Sequence, residues 1–281
     1  MSIIKGAQVA EAVSAETKKR AEKLKAEGTE PCLAIIRVGE DGSEIAYERG
    51  AMKRMDKCGI KCMSIVFDEN IGQTEFEKKF SEVNDDKNVH GILLLQPLPK
   101  QLDIEPIKEL INPIKDVDAL SAVNLYKVFV GDKTGYAPCT AEAVMETLDY
   151  MGTDYTGKKC VVIGRSLVVG KPLGMLLLGR NATVTYCHSR TKQLAEEAKQ
   201  ADILVAAVGV PKMVKADFVK EGMTVIDVGI NVDENGNMCG DVDFENVESI
   251  VENITPVPGG VGAVTTSVLA KHVVMAAEML K

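Results

Sequence analysis

Helical and strand-like hydrophobic patterns alternate along the first hundred residues of this 281-residue chain. Stretches with apolar residues every three or four positions predict amphipathic helices, and the short apolar runs between them predict buried strands. The order of these elements predicts a parallel sheet covered by helices. The predicted helices cover about residues 7–26, 43–58 and 74–83, and the predicted strands cover about residues 32–38, 63–67 and 91–95.

The same alternation restarts near residue 159, after a less regular segment from 96 to 138. It predicts an α/β protein of two three-layer domains with a ligand cleft between them. The first domain comprises residues 1–139, completed by a C-terminal helix at 264–281. The second, residues 140–263, is predicted to be a Rossmann-type doubly wound parallel sheet. Its predicted helices lie at about 140–151, 170–178 and 191–200, and its predicted strands lie at about 160–163, 182–187, 203–208 and 224–228.

Composition and charge narrow the possible functions. The net charge of −8 and the lack of a basic tract argue against a nucleic-acid partner. No apolar stretch approaches membrane-spanning length, and the first residues lack the apolar core of a signal peptide. The seven cysteines show no metal-ligand spacing and suit reduced thiols. We therefore expect a cytoplasmic protein with no membrane partner and no metal.

A strand, a glycine turn and a helix start follow one another at residues 158–174, in the sequence KKCVVIGRSLVVGKPLG. Such a turn presents free backbone N–H groups and the positive end of a helix dipole, which together can bind a phosphate. The order Gly164, Ser166, Gly170 departs from the strict G-x-G-x-x-G pattern, so a plain strand-to-helix turn is the alternative. The turn indicates a dinucleotide-binding site.

The residues after the next predicted strand favour NADP over NAD. In NAD-binding folds an acidic residue at this point accepts hydrogen bonds from the ribose hydroxyls. Here the strand is followed by His188, Ser189 and Arg190, with no acid. A hydroxyl and a guanidinium can bind a 2′-phosphate, and Arg165 in the preceding turn can do the same. The alternative is that these side chains only solvate a loop.

Four further segments carry polar, glycine and proline residues in patterns that a scaffold does not require: Ser43–Tyr47, Gly91–Pro99, Lys115–Asp118 and Thr255–Gly262. Taken with Gly164-Arg-Ser166, Cys187-His-Ser189 and Asp227-Val-Gly-Ile-Asn231, they resemble the methylenetetrahydrofolate dehydrogenase/cyclohydrolase family over nearly the whole chain. The resemblance implies a homodimeric enzyme of one-carbon metabolism that acts on tetrahydrofolate derivatives. Members oxidise methylenetetrahydrofolate with NAD(P), and most also hydrolyse the methenyl product to formyltetrahydrofolate.

The resemblance also implies roles for individual residues. Asp118 matches the aspartate that holds the pterin ring, and Tyr47 matches the tyrosine that lies on the folate. Pro258, Gly259 and Gly260 match a loop at the junction of folate and nicotinamide. Gln96 is a further substrate-binding candidate. The candidate cofactor-binding residues are Gly164, Arg165, Ser166, Ser189, Arg190 and Ile230.

Two positions depart from the family pattern. The family helix reads Tyr-x-x-x-Lys, with a lysine that is central to the cyclohydrolase step, but the fourth residue after Tyr47 is Ala51. Lys53 lies roughly 120° around a helix from Tyr47, and an irregularity near Gly50 would be needed to turn it into place. The glutamine that supports the family's lysine is replaced by Leu95, with Gln96 beside it.

These departures predict an NADP-dependent methylenetetrahydrofolate dehydrogenase with weak or absent cyclohydrolase activity. Hydride transfer needs the folate carbon held against the nicotinamide, whereas hydrolysis needs a positioned proton-transfer group. The catalytic candidates are Tyr47, Asp118 and Lys53. Two alternatives stay open: a bifunctional enzyme that yields 10-formyltetrahydrofolate, and a non-catalytic protein that binds folate and nucleotide.

Overall fold

The computed structural model describes residues 2–281. The elements of the first half are β1 (Ser2–Ile3), α1 (Gly6–Ala26), β2 (Cys32–Val38), α2 (Gly42–Lys57), β3 (Lys61–Phe67), α3 (Gln73–Asp85), β4 (Gly91–Leu94), α4 (Glu105–Leu110) and α5 (Ala122–Val130). Those of the second half are α6 (Cys139–Tyr150), β5 (Lys159–Ile163), α7 (Gly170–Leu178), β6 (Thr183–Cys187), α8 (Leu194–Lys199), β7 (Ile203–Ala206), β8 (Thr224–Asp227), β9 (Asn231–Val232), β10 (Met238–Cys239), α9 (Phe244–Val247), β11 (Asn253–Ile254) and α10 (Gly262–Leu280).

Two compact units divide the chain. Unit 1 holds Thr140–Thr265 together with the N-terminal residues as far as Glu11, and unit 2 holds Ala12–Cys139 together with Thr266–Lys281. The predicted domain boundaries place the N-terminal residues with residues 12–139, whereas in the structure those as far as Glu11 fall in unit 1. They belong to unit 1 because β1 pairs in parallel with β11, a two-residue pairing that is too short to produce a hydrophobic pattern.

The sheet of unit 2 has three parallel strands in the order β3-β2-β4. The central strand β2 is almost entirely buried, as expected for a parallel strand with helices on both faces. A further parallel bridge joins Ile92 of β4 to Asp116, and the N–H of Ile92 donates to the carbonyl of Lys115 at 2.7 Å. This bridge places the Lys115–Asp118 segment beside β4.

The sheet of unit 1 has six strands in the order β1-β11-β8-β7-β5-β6, and every pair is parallel. The chain passes from β5 to β6 on one side and then to β7 on the other side of β5. In open parallel sheets, ligands bind outside the carboxyl ends of the strands at such a switch point. The turn after β5 begins at Gly164, so it lies at this point.

The irregular segment 96–138 contains two helices, α4 and α5, that the hydrophobic pattern did not predict. Helix α5 begins after Ser121, whose Oγ accepts the N–H of Asn124, and it ends at Gly131, which has a φ of 73°. Seven of its nine residues are apolar, and Val123, Tyr126, Phe129 and Val130 form an exposed face, while Asn124 is buried. So short an apolar stretch cannot be told from a buried strand by periodicity alone.

Helix α10 is long and apolar enough to cross a membrane by length and composition alone. However, 61% of that apolar stretch is buried inside the protein, as in a core helix.

Candidate active site

In the Lys115–Asp118 segment of unit 2, the side chain of Lys115 stabilises the fold by contacting residues about thirty positions earlier in the chain. The ammonium of Lys115 is buried and donates to the backbone carbonyls of Asn84 and Asp86, each at 2.7 Å. These carbonyls lie at the end of α3, so Lys115 joins that end to the segment. Burial lowers the pKa of Lys115, and the charges of Asp86 and Asp85 oppose this change.

Asp116 also stabilises the fold. Its buried carboxylate accepts the backbone N–H groups of Leu120 and Ser121 and the side-chain amide of Asn124, at 2.7 to 2.9 Å. Charge-assisted hydrogen bonds of this kind hold the chain between the segment and α5 in one conformation. With its acceptor sites occupied by the protein, Asp116 is a scaffold residue.

Asp118, two residues further on, lies near enough to Tyr47 for its charge to act on that side chain. Its Oδ1 accepts the N–H of Cys139 at 2.8 Å, and a carboxylate oxygen can accept further donors. Burial raises the pKa of Asp118, while its hydrogen bonds with Cys139 act in the opposite direction. Burial and then the charge of Asp118 raise the pKa of Tyr47, so the hydroxyl of Tyr47 stays protonated and can donate.

Two buried contacts fix the backbone next to Asp118. Nδ1 of His272, on α10, lies 2.8 Å from the carbonyl oxygen of Val117, and Sγ of Cys139 lies 3.3 Å from the same oxygen. Because a carbonyl only accepts, Nδ1 must carry the proton of the imidazole. Neither His272 nor Cys139 was predicted from the sequence, since contacts to Val117 across 155 and 22 residues leave no local pattern.

Helix α2 carries Tyr47, Ala51 and Lys53. Oδ1 of Asp41 accepts the N–H groups of Ser43 and Glu44 and so caps the helix start. The helix runs without interruption through Gly50, so the irregularity that would turn Lys53 towards Tyr47 is not present.

Lys53 is exposed on α2, whereas Ala51, one turn after Tyr47, is fully buried. Arg54 donates to the hydroxyls of Ser14 and Thr266 at 3.0 and 3.4 Å. The charge of Asp118 therefore reaches Tyr47, whereas Lys53 lies on the exposed side of α2.

The end of β4 shows the expected change of face. Leu95 is buried and its N–H donates to the carbonyl of Ile36 at 2.9 Å, while the next side chain, Gln96, is exposed. Adjacent residues of an extended chain point to opposite faces. The side chain of Gln96 therefore points away from the face on which the side chain of Leu95 lies.

The turn after β5 in unit 1 is built for close backbone packing. Gly164 has a φ of 131°, and a Cβ placed there would lie 2.2 Å from the carbonyl oxygen of Ala207. A Cβ on Gly170 would lie 2.3 Å from the carbonyl oxygen of Gly164. Oγ of Ser166 accepts the N–H of Val169 at 3.1 Å, which leaves the hydroxyl proton to donate to a ligand.

The ends of β5 and β6 lie side by side. Ile163 is opposite Cys187 in the ladder, and the N–H of Gly164 donates to the carbonyl of Cys187 at 2.9 Å. The turn with Arg165 and Ser166 therefore comes from the strand next to the one that leads to Ser189 and Arg190. All four of these side chains are exposed. This arrangement fits a nucleotide phosphate group.

A pocket of about 240 Å³ in unit 1 collects the remaining candidate residues. On one side of the pocket, the loop Pro258–Gly260 contacts the start of α1, where the N–H of Gly6 donates to the carbonyl of Gly259 at 2.8 Å. The pocket is small and lies at the carboxyl end of β8, which suits one flat ring. It is lined by Asp227, Val228, Gly229, Ile230, Met238, Val257, Pro258, Gly259, Gly260, Gly262 and Ala263.

Two family models match this chain. The model of the tetrahydrofolate dehydrogenase/cyclohydrolase catalytic domain matches residues 4–118. The model of the NAD(P)-binding domain of tetrahydrofolate dehydrogenase/cyclohydrolase matches residues 138–281, which is more than half of the chain. The chain belongs to the tetrahydrofolate dehydrogenase/cyclohydrolase family.

Similar proteins cover the chain almost from end to end. The bifunctional protein FolD of Clostridioides difficile is 53% identical over 277 residues, which are 99% of this chain and 96% of that protein. The crystal structure of the bifunctional enzyme FolD from Campylobacter jejuni has a TM-score of 0.97 at 39% identity and covers 99% of both chains. The methylenetetrahydrofolate dehydrogenase-cyclohydrolase of Trypanosoma brucei, crystallised with NADP and an inhibitor, has a TM-score of 0.93 at 34% identity and covers 99% and 97%.

Membership of the tetrahydrofolate dehydrogenase/cyclohydrolase family confirms the predicted resemblance and the two-domain α/β fold. It also confirms the prediction of a tetrahydrofolate dehydrogenase with a dinucleotide cofactor. The prediction that cyclohydrolase activity is weak or absent gains no support from the relatives. The proteins from C. difficile and C. jejuni, the first of them about half identical to this chain, are both called bifunctional.

Proposed function

We propose that this chain oxidises 5,10-methylenetetrahydrofolate to 5,10-methenyltetrahydrofolate with NADP and also hydrolyses the product to 10-formyltetrahydrofolate. The observation that carries the folate assignment is Asp118, a half-buried carboxylate that accepts the N–H of Cys139 and whose charge acts on the hydroxyl of Tyr47. A reduced pterin presents neighbouring N–H groups, and a carboxylate can accept both. The bifunctional relatives support the second activity.

In the oxidation step, the protein mainly binds and orients the substrate. Asp118 accepts the N–H groups of the pterin, while Tyr47 offers its ring face to the folate and its hydroxyl as a donor. Because the pKa of Tyr47 is raised, its hydroxyl is neutral at physiological pH and does not serve as a base. Bound NADP supplies the hydride acceptor. A correctly held donor carbon needs no protein base, since its own nitrogens stabilise the cation that forms.

NADP fits the residues that unit 1 presents. The close-packed Gly164 turn leaves no room for a Cβ and lets the backbone approach a pyrophosphate. Arg165, Ser189 and Arg190 are the groups that would hold a 2′-phosphate, because they follow adjacent strand ends and are exposed. The pocket formed by Ile230 and Pro258–Gly260 would take the nicotinamide ring.

We expect Arg165→Ala and Arg190→Ala each to raise the KM for NADP about five- to tenfold, because each removes a charge-assisted contact to the 2′-phosphate. The KM for NAD, which lacks that phosphate, should change less than about twofold. Steady-state kinetics with both cofactors measure this. Lys199→Ala, an exposed charge at the end of α8, is the control and should leave both KM values unchanged. Equal changes for NAD and NADP would contradict the assignment.

A second candidate function is dehydrogenase activity alone. The observation that favours it is at position 51, where the family's lysine is replaced by a fully buried alanine with no group for proton transfer. If the hydrolysis proceeds, another group must move the proton. Under this candidate the methenyl product would be released.

A coupled assay separates the two candidates. NADPH formation and methenyltetrahydrofolate are followed in one reaction with purified protein. Under the proposed function the methenyl product does not accumulate. Accumulation of one methenyl per NADPH, lost no faster than in buffer alone, would contradict the cyclohydrolase part and leave the dehydrogenase.

The variant Ala51→Lys sharpens the comparison, because it restores the family residue one turn after Tyr47. If the wild type lacks hydrolysis, this lysine should raise it at least about tenfold without changing hydride transfer. If the wild type already hydrolyses the product, the gain should be less than about threefold. Homodimer formation and a cytoplasmic location stay predictions.

A further inference from the structure

A pair of buried aspartates lies at the carboxyl end of β8 in unit 1. Asp227 is the last residue of β8 and is 3% exposed, and Asp241 follows β10 and is 0% exposed. The function proposed above gives neither carboxylate a role of its own, although Asp227 lines the 240 Å³ pocket. Carboxylates at this depth are costly unless they are hydrogen-bonded, so their partners indicate what they do.

The carboxylate of Asp241 holds two loops. Its Oδ2 accepts the N–H groups of Val208 and Gly209 at 2.6 and 3.1 Å, and its Oδ1 accepts the N–H of Val210 at 3.0 Å. Those three residues follow β7. Oδ1 also accepts the side-chain amide of Asn231 at 2.9 Å, at the start of β9 and four residues after the end of β8. One side chain therefore fixes the ends of two adjacent strands.

The carboxylate of Asp227 fixes the backbone that carries Asp241. Its Oδ1 accepts the N–H groups of Gly229 and Asp241 at 2.9 and 3.0 Å, and its Oδ2 accepts the N–H of Val242 at 2.9 Å. The two aspartates thus form one network, in which Asp227 orders the chain around Asp241.

Two glycines show how tightly the backbone encloses the pair. A Cβ on Gly229 would lie 2.3 Å from Oδ1 of Asp241, and a Cβ on Gly240 would lie 1.9 Å from Oδ2 of Asp227. Real side chains do not approach so closely, so both positions require glycine while the carboxylates stay in place.

Ile230 stands between the two contacts. Gly229 before it is bonded to Asp227, and Asn231 after it is bonded to Asp241. Ile230 itself is 66% exposed and lines the 240 Å³ pocket. An exposed apolar side chain held on both sides by buried charges is a preorganised contact for a ligand ring.

We propose that Asp241, supported by Asp227, is a positioning residue that holds Ile230 and the Val208–Val210 loop in the conformation that binds the nicotinamide part of NADP. The identity of the ligand rests on the proposed function. The arrangement of the loops rests on the hydrogen bonds alone.

The variant Asp241→Asn tests the proposal, because its amide group places a donor against backbone N–H donors. We expect the Kd for NADP, measured by calorimetry without folate, to rise at least about tenfold. Without cofactor, hydrogen exchange at the amides of Val208–Val210 should be faster than in the wild type. Asp243→Asn, the same change two residues further on, should alter neither quantity.

If Asp241→Asn folds poorly, the variant Asn231→Ala tests the same positioning role with a smaller change. It removes one side-chain bond and leaves the three backbone bonds to Asp241 intact. The Kd for NADP should rise about three- to tenfold, while the KM for the folate and the Tm, within about 2 °C, stay unchanged.

An unchanged Kd in either folded variant, or a lower Tm with an unchanged Kd, would overturn the positioning role and leave the proposed function intact. A wild type that binds NADP but does not reduce it with methylenetetrahydrofolate would overturn the proposed function alone. A wild type that does not bind NADP would overturn both.

Discussion

Replacing Asp118 by asparagine should lower kcat/KM for methylenetetrahydrofolate about 10²- to 10³-fold, while NADP binding is unchanged. The carboxylate of Asp118 accepts the N–H of Cys139 and, in our proposal, the N–H groups of the pterin. An asparagine offers one oxygen and one NH2 group, so at least one donor of the pterin would face another donor. Initial rates at several folate concentrations and calorimetry with NADP measure the two effects.

Asp132→Asn is the matched control for this substitution. Asp132 is an exposed aspartate of the same unit whose Oδ1 also accepts one backbone N–H, that of Thr134 at 2.8 Å. It should leave kcat/KM unchanged. If Asp118→Asn lowered kcat/KM less than about fivefold, the role of Asp118 in binding the pterin would be wrong.

Ionisation of the Asp118 carboxyl group should also control how kcat/KM depends on pH. Burial raises the pKa of Asp118, and the ionised form is the one that accepts the pterin. The acid limb of kcat/KM should therefore lie at a higher pH than an exposed aspartate would give, and it should be absent in Asp118→Asn.

The raised pKa of Asp118 makes folding stability fall as pH rises, whereas kcat/KM rises with pH. The folded state favours the protonated acid, so this contribution to stability is present below the unfolded pKa and is lost as pH rises through the folded pKa. Asp118→Asn should therefore not lower the Tm at pH 8. A large fall in Tm there would indicate that Asp118 is a scaffold residue like Asp116.

Gly164→Ala should destabilise unit 1 by about 2–5 kcal/mol and abolish tight NADP binding. The new Cβ would lie 2.2 Å from the carbonyl oxygen of Ala207, and a φ of 131° is unfavourable for any residue except glycine. The turn and the neighbouring strand end must then move apart, at the place where we expect the pyrophosphate. Thermal melting should show a fall in Tm of about 10 °C for the transition of unit 1.

Gly179→Ala is the control in the same strand-helix-strand segment. Gly179 ends α7 with a φ of −62°, and a Cβ there would make contacts of 3.4 Å or more. This substitution should change the Tm by less than about 2 °C and leave NADP binding as it is. If Gly164→Ala and Gly179→Ala had the same effect on Tm and on NADP binding, close packing would not be the reason for the glycine at position 164.

Much of the fold could be read from local patterns. The strand Cys32–Val38 and the helix Gly170–Leu178 have the predicted bounds, because their apolar runs and periodicity are clear. Helix α5 was missed because a short stretch with seven apolar residues in nine also fits a buried strand. The short strand β1 was missed because only its pairing with β11 makes it a strand.

The strongly patterned helices and strands, the position of the glycine turn and the alanine at position 51 can be read from the chain, because each depends on residues close together in it. The role of each carboxylate depends on the folded structure. Asp116 and Asp118 are chemically identical and two residues apart, yet the first accepts three protein donors, whereas the second accepts the N–H of Cys139 and its charge acts on Tyr47. No local sequence pattern around Asp241 indicates its role. Its role depends on N–H groups 10 to 33 residues away, which only folding brings within hydrogen-bond distance.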